Sequence, residues 1–187
     1  MHRAFHLRLI IMLGLLACFF VTGCGESEAN PTPTQQTTAN GTVVYEKNGL
    51  RITHPKDWSL LHDEAGIFAD RTVALETPNT SRVSLYLYQS TPKTVKDLAA
   101  NVEKQLKLLS SPQVENYQRK AVQIAGFDGL QLSWASHNLS ETRNQLTILD
   151  ITQGPTEILL QYHLFDDDIE QLQSVLEPFI NGITFNP

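Results

Sequence analysis

Charged side chains are scarce, making up 18% of the 187 residues against roughly 25% in an ordinary globular chain. Those present lean acidic, with a formal net charge of −6. A chain short of cations lacks the basic surface that phosphate backbones require, so nucleic acid is not an expected partner. Cysteine is nearly missing: Cys18 and Cys24 are the only two, too few for a disulfide framework. No Gly-x-Ser-x-Gly elbow occurs and no His-Glu-x-x-His pair, the spacings that set up a hydrolase nucleophile or a zinc site. Internal repeats are lacking too. These gaps point away from an enzyme and suggest no metal and no cofactor.

What is present begins at the N-terminus. Arg3 and Arg8 precede an unbroken apolar run from Leu9 to Val21, about 20 Å long as helix. A bilayer core of roughly 30 Å calls for about 20 such residues, so the run suits a signal sequence better than a permanent span. It ends Val21-Thr22-Gly23-Cys24, which resembles the lipobox of bacterial lipoproteins. That resemblance implies a signal peptide over residues 1–23, cleavage before Cys24, and acylation of its thiol. Cys18 would be discarded with the leader, leaving Cys24 as the lone cysteine of the mature chain. Each buried methylene of an acyl chain contributes about 0.8 kcal/mol, so several chains on one cysteine hold firmly. The expected partner is therefore a membrane, reached through Cys24, with the folded part in the periplasm or extracytoplasmic space. Gly25, where retained inner-membrane lipoproteins carry aspartate, leans the expectation toward an outer membrane.

Residues 24–41 form the next segment. Gly25 to Gly41 contain no Leu, Ile, Val or aromatic residue, so they have nothing to bury and are expected to be a disordered tether. From Thr42 to Pro187 the composition supports one domain. Thr42–Glu46 and Leu50–His54 flank an Asn48-Gly49 hairpin signal. Further strands are expected at Arg71–Glu76 and Arg82–Tyr88, where Val83, Leu85 and Leu87 oppose Ser84, Tyr86 and Tyr88, implying a sheet covered at least partly on both faces.

Thr94 with Asp97 reads as a capping box opening a helix. Val95, Leu98, Val102, Leu106 and Leu109 form its stripe, and Ser110-Ser111-Pro112 ends it. Strands around 114–124 and 129–136, separated by Gly126–Gly129, come next, then Leu146–Thr152 and Thr156–Phe165. A last helix starts within Asp166–Asp168, breaks or kinks at Leu176-Glu177 ahead of Pro178, and leads past Gly182 into a short Ile-Thr-Phe strand. This order reads as an α+β fold.

Candidate chemistry is thin. His54, His62, His137 and His163 lack ligand spacing. Asp166-Asp167-Asp168 with Glu170 reads as helix capping, with a calcium or docking site as the alternative. Tyr86, Tyr88, Trp134 and Tyr162 are core strand aromatics on the ordinary reading and the walls of a ligand groove on the other.

Finally, Gly-Leu-Arg-Ile-Thr-His-Pro-Lys-Asp-Trp-Ser-Leu at residues 49–60 and Leu-Gln-Ser-Val-Leu-Glu-Pro-Phe-Ile-Asn-Gly-Ile-Thr-Phe at 172–185 resemble segments of the PsbP/DcrB-like family. The resemblance implies an antiparallel sheet flanked by two main helices over 42–187. It also implies a non-enzymatic accessory role in the cell envelope or a membrane complex, with an unidentified protein partner, and no catalytic residue to carry over. The alternative is a carrier or sensor for a small apolar or amphipathic ligand held between sheet and helix.

Overall fold

The computed structural model describes residues 33–66, 69–108, 114–137 and 141–186. The signal-peptide reading, the lipidation of Cys24 and the start of the tether fall outside the described residues.

Strands dominate, and every pairing is antiparallel. A four-stranded sheet has the order β1 (Thr34–Thr37), β2 (Thr42–Lys47), β3 (Leu50–Pro55), β11 (Ile183–Phe185). A seven-stranded sheet runs β4 (Ser59–Glu64), β5 (Arg71–Glu76), β6 (Arg82–Tyr88), β10 (Glu157–Phe165), β9 (Glu141–Asp150), β8 (Phe127–His137), β7 (Val114–Ile124). The helices are α1 (Val95–Leu108), α2 (Asp168–Gln171) and α3 (Gln173–Asn181).

Local chemistry explains the turns. Asn48 and Gly49 both have positive φ, 47° and 76°, as a two-residue type I′ hairpin requires, and they join Lys47 directly to Leu50. The β7–β8 hairpin turns at Ala125 and Gly126, with Ile124 paired to Phe127. The expected loop through Gly129 is thus shorter than the glycines suggested. Gly129 lies inside β8 because a Cβ there would stand 2.2 Å from the Ile148 carbonyl oxygen, so it serves close strand approach rather than a turn.

The capping box forms. Asp97 N–H donates to Thr94 Oγ1 at 3.2 Å, and Thr94 N–H donates to Asp97 Oδ2 at 2.8 Å. Ala99 and the stripe Val95, Leu98, Val102 and Leu106 then pack on Leu132, Trp134, Leu146 and Ile148 of β8 and β9. Leu109 and the Ser-Ser-Pro stop lie outside the described residues.

The other face of the large sheet carries the main core. Val73, Leu75, Val83, Leu85, Leu160 and Tyr162 pack with Tyr45, Leu50, Ile52 and Ile183 of the small sheet and with Leu176, Phe179 and Ile180 of α3. Trp58, four residues past His54, stacks tilted on Phe179 with centroids 5.1 Å apart. The two-sided use of β6 is as the alternation implied: Val83, Leu85 and Leu87 join this core, while Tyr86 and Tyr88 join the cluster beneath α1.

Four expectations need correction. The picture of two main helices is replaced on the core face by the small sheet plus the nine-residue α3. The disordered segment reaches too far, because Thr34–Thr37 pairs with Val43–Glu46 as β1. Its side chains are all exposed, so backbone bonds hold it and no apolar residue is needed. The C-terminal helix is interrupted at Leu172 instead of Leu176-Glu177, and Pro178 sits within α3. Strand β4 escaped detection because a bulge between Leu60 and His62 breaks its alternation.

Candidate functional site

The register lays rows of side chains across the α1 face of the seven-stranded sheet. One row runs His62, Ala74, Ser84, Gln161, Ile148, Leu130. A second runs Arg82, His163, Leu146, Leu132, and a third runs Glu64, Thr72, Tyr86, Leu159. In the first two the β8 and β9 end is apolar and the β6 and β10 end polar. Helix α1 settles on the apolar end. A helix is about 10 Å across and strands are about 4.8 Å apart, so one helix covers about two strands. The polar half of the face is left open as a groove.

The groove has two basins. The larger, about 570 Å³, lies over β4, β5, β6 and β10 and is walled by Arg82, His163, Ser84 and Thr72 among others. The smaller, about 320 Å³, lies against α1, between Tyr88 and Lys93 on one side and Asn101, Val102 and Gln105 on the other. Tyr86 and Gln161 wall both basins.

Two groups in this groove are electrostatically unusual. Burial pulls the His163 imidazole down to about 4, with the Arg82 charge adding to the effect. Its ring sits between Trp134, 5.2 Å away, and Phe165, 4.3 Å away. Asn144 spends its amide N–H groups on Ser136 Oγ and the Thr142 carbonyl, both at 2.9 Å. Its Oδ1 therefore accepts from His163 Nε2 at 3.2 Å, which leaves Nδ1 as the acceptor of a neutral ring. Tyr88 is 3% exposed, its hydroxyl has no hydrogen-bond partner among the described residues, and burial together with Tyr86, Glu157 and Asp97 pushes it up to about 12. A buried hydroxyl without a partner is uncommon and calls for an explanation.

The sequence-level candidates scatter. Of the aromatics, Tyr86 and Tyr88 line the groove, Trp134 lies under α1, and Tyr162 is in the main core at 1% exposure. Of the histidines, His62 and His163 share the groove wall. His54 is buried in β3, its Nδ1 2.8 Å from the Pro55 carbonyl, and burial lowers its pKa. His137 Nε2 lies 3.5 Å from Glu115 at the far end of β8.

The acidic cluster does not cap: Asp167 makes no side-chain cap bond. Asp168 is buried and accepts from Thr77 Oγ1 at 2.9 Å and Asn79 Nδ2 at 2.8 Å. Asp166 accepts from the Arg143 N–H at 2.8 Å, and Glu170 meets the Arg143 guanidinium at 3.0 Å. These carboxylates tie the start of α2 to the β5–β6 turn and to β9. Among the described residues no group of three or more His, Cys, Asp or Glu is placed to hold a metal. No described helix is long and apolar enough to cross a membrane.

Sequence reading missed Arg82, Gln161 and Asn101 as groove residues. Each is an ordinary polar residue on its own strand or helix, and only the strand register brings them together.

No family model matches the chain, and no curated protein does. Among solved structures it is similar to cyanobacterial PsbP (CyanoP) from Synechocystis sp. PCC 6803. Identity is 14%, with 89% of this chain and 99% of that one covered at a TM-score of 0.44. It is also similar to LpqN, described as involved in cell envelope biogenesis of Mycobacterium tuberculosis, at 15% identity and a TM-score of 0.40 over 83% and 91% of the two chains. At such identities and scores, likeness says nothing of activity or partner.

Proposed function

We propose that this chain is a non-enzymatic accessory module of the cell envelope, tethered to a membrane through a lipid on Cys24, and that the groove beside α1 is its contact surface. The tether reading is supported by the positive n-region, the short apolar run and the Gly23-Cys24 junction. The observation that carries the binding role is the groove itself. A sheet face that could have been covered is left open beside α1, with Ser84, Gln161, Asn101 and Gln105 set among Tyr86 and Val102 along it. A recognition role is favoured over catalysis because His163, the more buried of the two groove histidines, is committed to Asn144 and packed against two aromatic rings.

The same groove favours the ligand-binding form of this role. Small-molecule sites are concave, roughly 300–1,000 Å³, and few per protein, and both basins fall in that range.

Two experiments test the proposal. Cys24→Ala should shift the protein out of the membrane fraction; unchanged fractionation would sink the anchor. A photo-crosslinking residue at exposed Asn101, on the rim of the smaller basin, should capture a defined species in cells. One at exposed Lys120 on β7 should not capture the same species, and equal capture at both sites would remove the groove from the proposal.

A further inference from the structure

The acidic net charge hides a separation of charge. From Lys93 to Ile124, over α1 and β7, the chain carries six cations against three carboxylates. The rest of residues 33–187 carries fifteen carboxylates against six cations. Pairing follows the same divide. Outside that stretch Lys47 and Arg71 meet Asp63, Arg51 meets Glu46, Arg82 meets Glu76 and Arg143 meets Glu170. On α1 and its lead-in, Lys93, Lys96, Lys104 and Lys107 are all exposed, and none forms an ion pair among the described residues. The carboxylates beside them are already engaged: Asp97 accepts from Thr94, and Glu103 accepts from Tyr117 and Arg119.

Lys96, Ala100 and Lys104 are spaced four residues apart, with Lys107 three further on, so they form one ridge along α1. The ridge is turned away from the stripe that packs on β8 and β9. Like charges at this spacing repel, and opposite charges would support the helix instead. The helix dipole accounts for Lys107 in the last turn but works against Lys96 in the first. Neither pairing nor the dipole explains four cations kept without counter-charge in a domain that has acid in excess.

The ridge also indicates what form the counter-charge takes. From Lys96 to Lys107 is about 16 Å of helix, more than one small anion spans. Phosphate recognition favours the forked guanidinium of arginine, and Arg119 is spent on Glu103. A bilayer is disfavoured by the path of the chain, granting the Cys24 anchor proposed above. The chain enters the fold at β1 of the small sheet, which packs on the face of the large sheet opposite α1. Gly25–Pro33 spans about 30 Å at full extension, and the two layer spacings alone take about 20 Å. With α1 against the same bilayer the tether would be held near its full length, at a cost in entropy. A protein partner carries no such penalty.

We propose that the lysine ridge of α1 docks an acidic segment of a partner protein, with Lys96, Lys104 and Lys107 meeting carboxylates spaced along it. This surface is distinct from the groove, which lies along the flank of α1 that carries Asn101 and Gln105.

A photo-crosslinking residue at exposed Ala100, in the middle of the ridge, tests this in cells with the full-length protein. The expected capture is a protein whose crosslinked peptide carries net negative charge. Lys96→Gln, Lys104→Gln and Lys107→Gln combined should lower that capture about tenfold, equivalent to about 1.4 kcal/mol over three exposed ion pairs. The unfolding midpoint should not fall, and Arg at the same three positions should retain capture. In vitro the probe is a polyglutamate of about 20 residues, about 30 Å long as helix. Its binding should rank the variants in the same order and weaken as salt screens the charges.

Capture of neutral or basic peptides, capture indifferent to the Gln variant, or no capture at all would overturn the proposal. So would capture of lipid alone, or tighter binding to phosphatidylglycerol vesicles than to polyglutamate, either of which would assign the ridge to a membrane. Failure here is distinguishable from failure of the groove, which is read at Asn101, and of the anchor, which is read by fractionation of Cys24→Ala.

Discussion

Asp63 offers the sharpest test of how the two sheets are held together. It lies on the edge strand β4, and its carboxylate is 5% exposed. Arg71 donates to it twice, Nε to Oδ1 at 2.7 Å and Nη2 to Oδ2 at 2.8 Å. The Tyr45 hydroxyl donates to Oδ2, and Lys47 Nζ stands 3.5 Å away. Arg71 also donates to the Lys47 carbonyl at 2.9 Å and to the Asn48 carbonyl at 3.3 Å. The cluster thus staples the β2–β3 hairpin of the small sheet to β4 and β5 of the large one.

The perturbation is Asp63→Asn, which keeps the shape and removes the charge. It leaves the Arg71 and Lys47 side chains, 15% and 13% exposed, without their counter-ion. Breaking one partner out of a buried pair costs about 3 kcal/mol or more. For a domain of this size that is about 6–12 °C in Tm, or about 1.5 M in the urea midpoint at a slope of about 2 kcal/mol per M.

The pH dependence adds a second readout. Burial alone would raise the Asp63 pKa, but the Arg71 bonds, the Tyr45 hydroxyl and the Lys47 charge outweigh it and hold it below the usual carboxylate value. A depressed carboxylate stabilises fully above its unfolded pKa of about 3.9, and that contribution fades as pH falls through the folded value. The gap between wild type and variant should therefore be constant from pH 7 down to about 5 and close in acid. A loss under 1 kcal/mol at pH 7, or a gap that stays constant down to pH 2, would refute the reasoning.

Two further outcomes follow from burial. His163 is held near 4 in the folded state against about 6.5 unfolded, so the unfolded chain binds the extra proton first. Stability should then rise with pH between about 4 and 6.5, by about 2–3 kcal/mol from this group; urea titrations of His163→Gln should show a flatter slope there, and an unchanged slope would assign the acid loss elsewhere. Gly129→Ala forces a Cβ to within 2.2 Å of the Ile148 carbonyl oxygen and 2.6 Å of Leu149 Cδ2. It should cost about 1–3 kcal/mol in chemical denaturation as β8 and β9 are pushed apart, and a neutral result would mean that the strands separate without strain.

Much of the fold was legible because it rests on short-range chemistry. The Asn48-Gly49 pair announces a hairpin through the positive φ that both positions need. Thr94 and Asp97 announce a helix start through the bonds they then make. The alternation along β6 announces two faces that are each at least partly covered. The failures are equally physical. Strand β4 hides its period behind a bulge, and β1 is held by backbone bonds that carry no apolar signature. The glycine at 129 looks like a turn residue because a need for close strand approach and a need for positive φ select the same amino acid.

The candidate site was less legible than the fold. Tyr86 and Tyr88 were readable as aromatics on one face of a strand, but nothing local separates them from Tyr162, which alternation places on the core side of β10. Arg82 and Gln161 carry no local signal at all. They meet His163 and Tyr86 only because β10 returns to lie between β6 and β9, across a sequence separation of about 75 residues. Sequence alone determined most of the helices and strands, β1 and β4 excepted, and which faces of β6 and α1 are apolar, since those follow from bond geometry and solvent within a few residues. Tertiary structure alone decided that one helix covers only part of a seven-stranded face and that Arg82, Gln161 and Tyr86 meet along the part it leaves open, because strand order and register join residues that the chain keeps far apart.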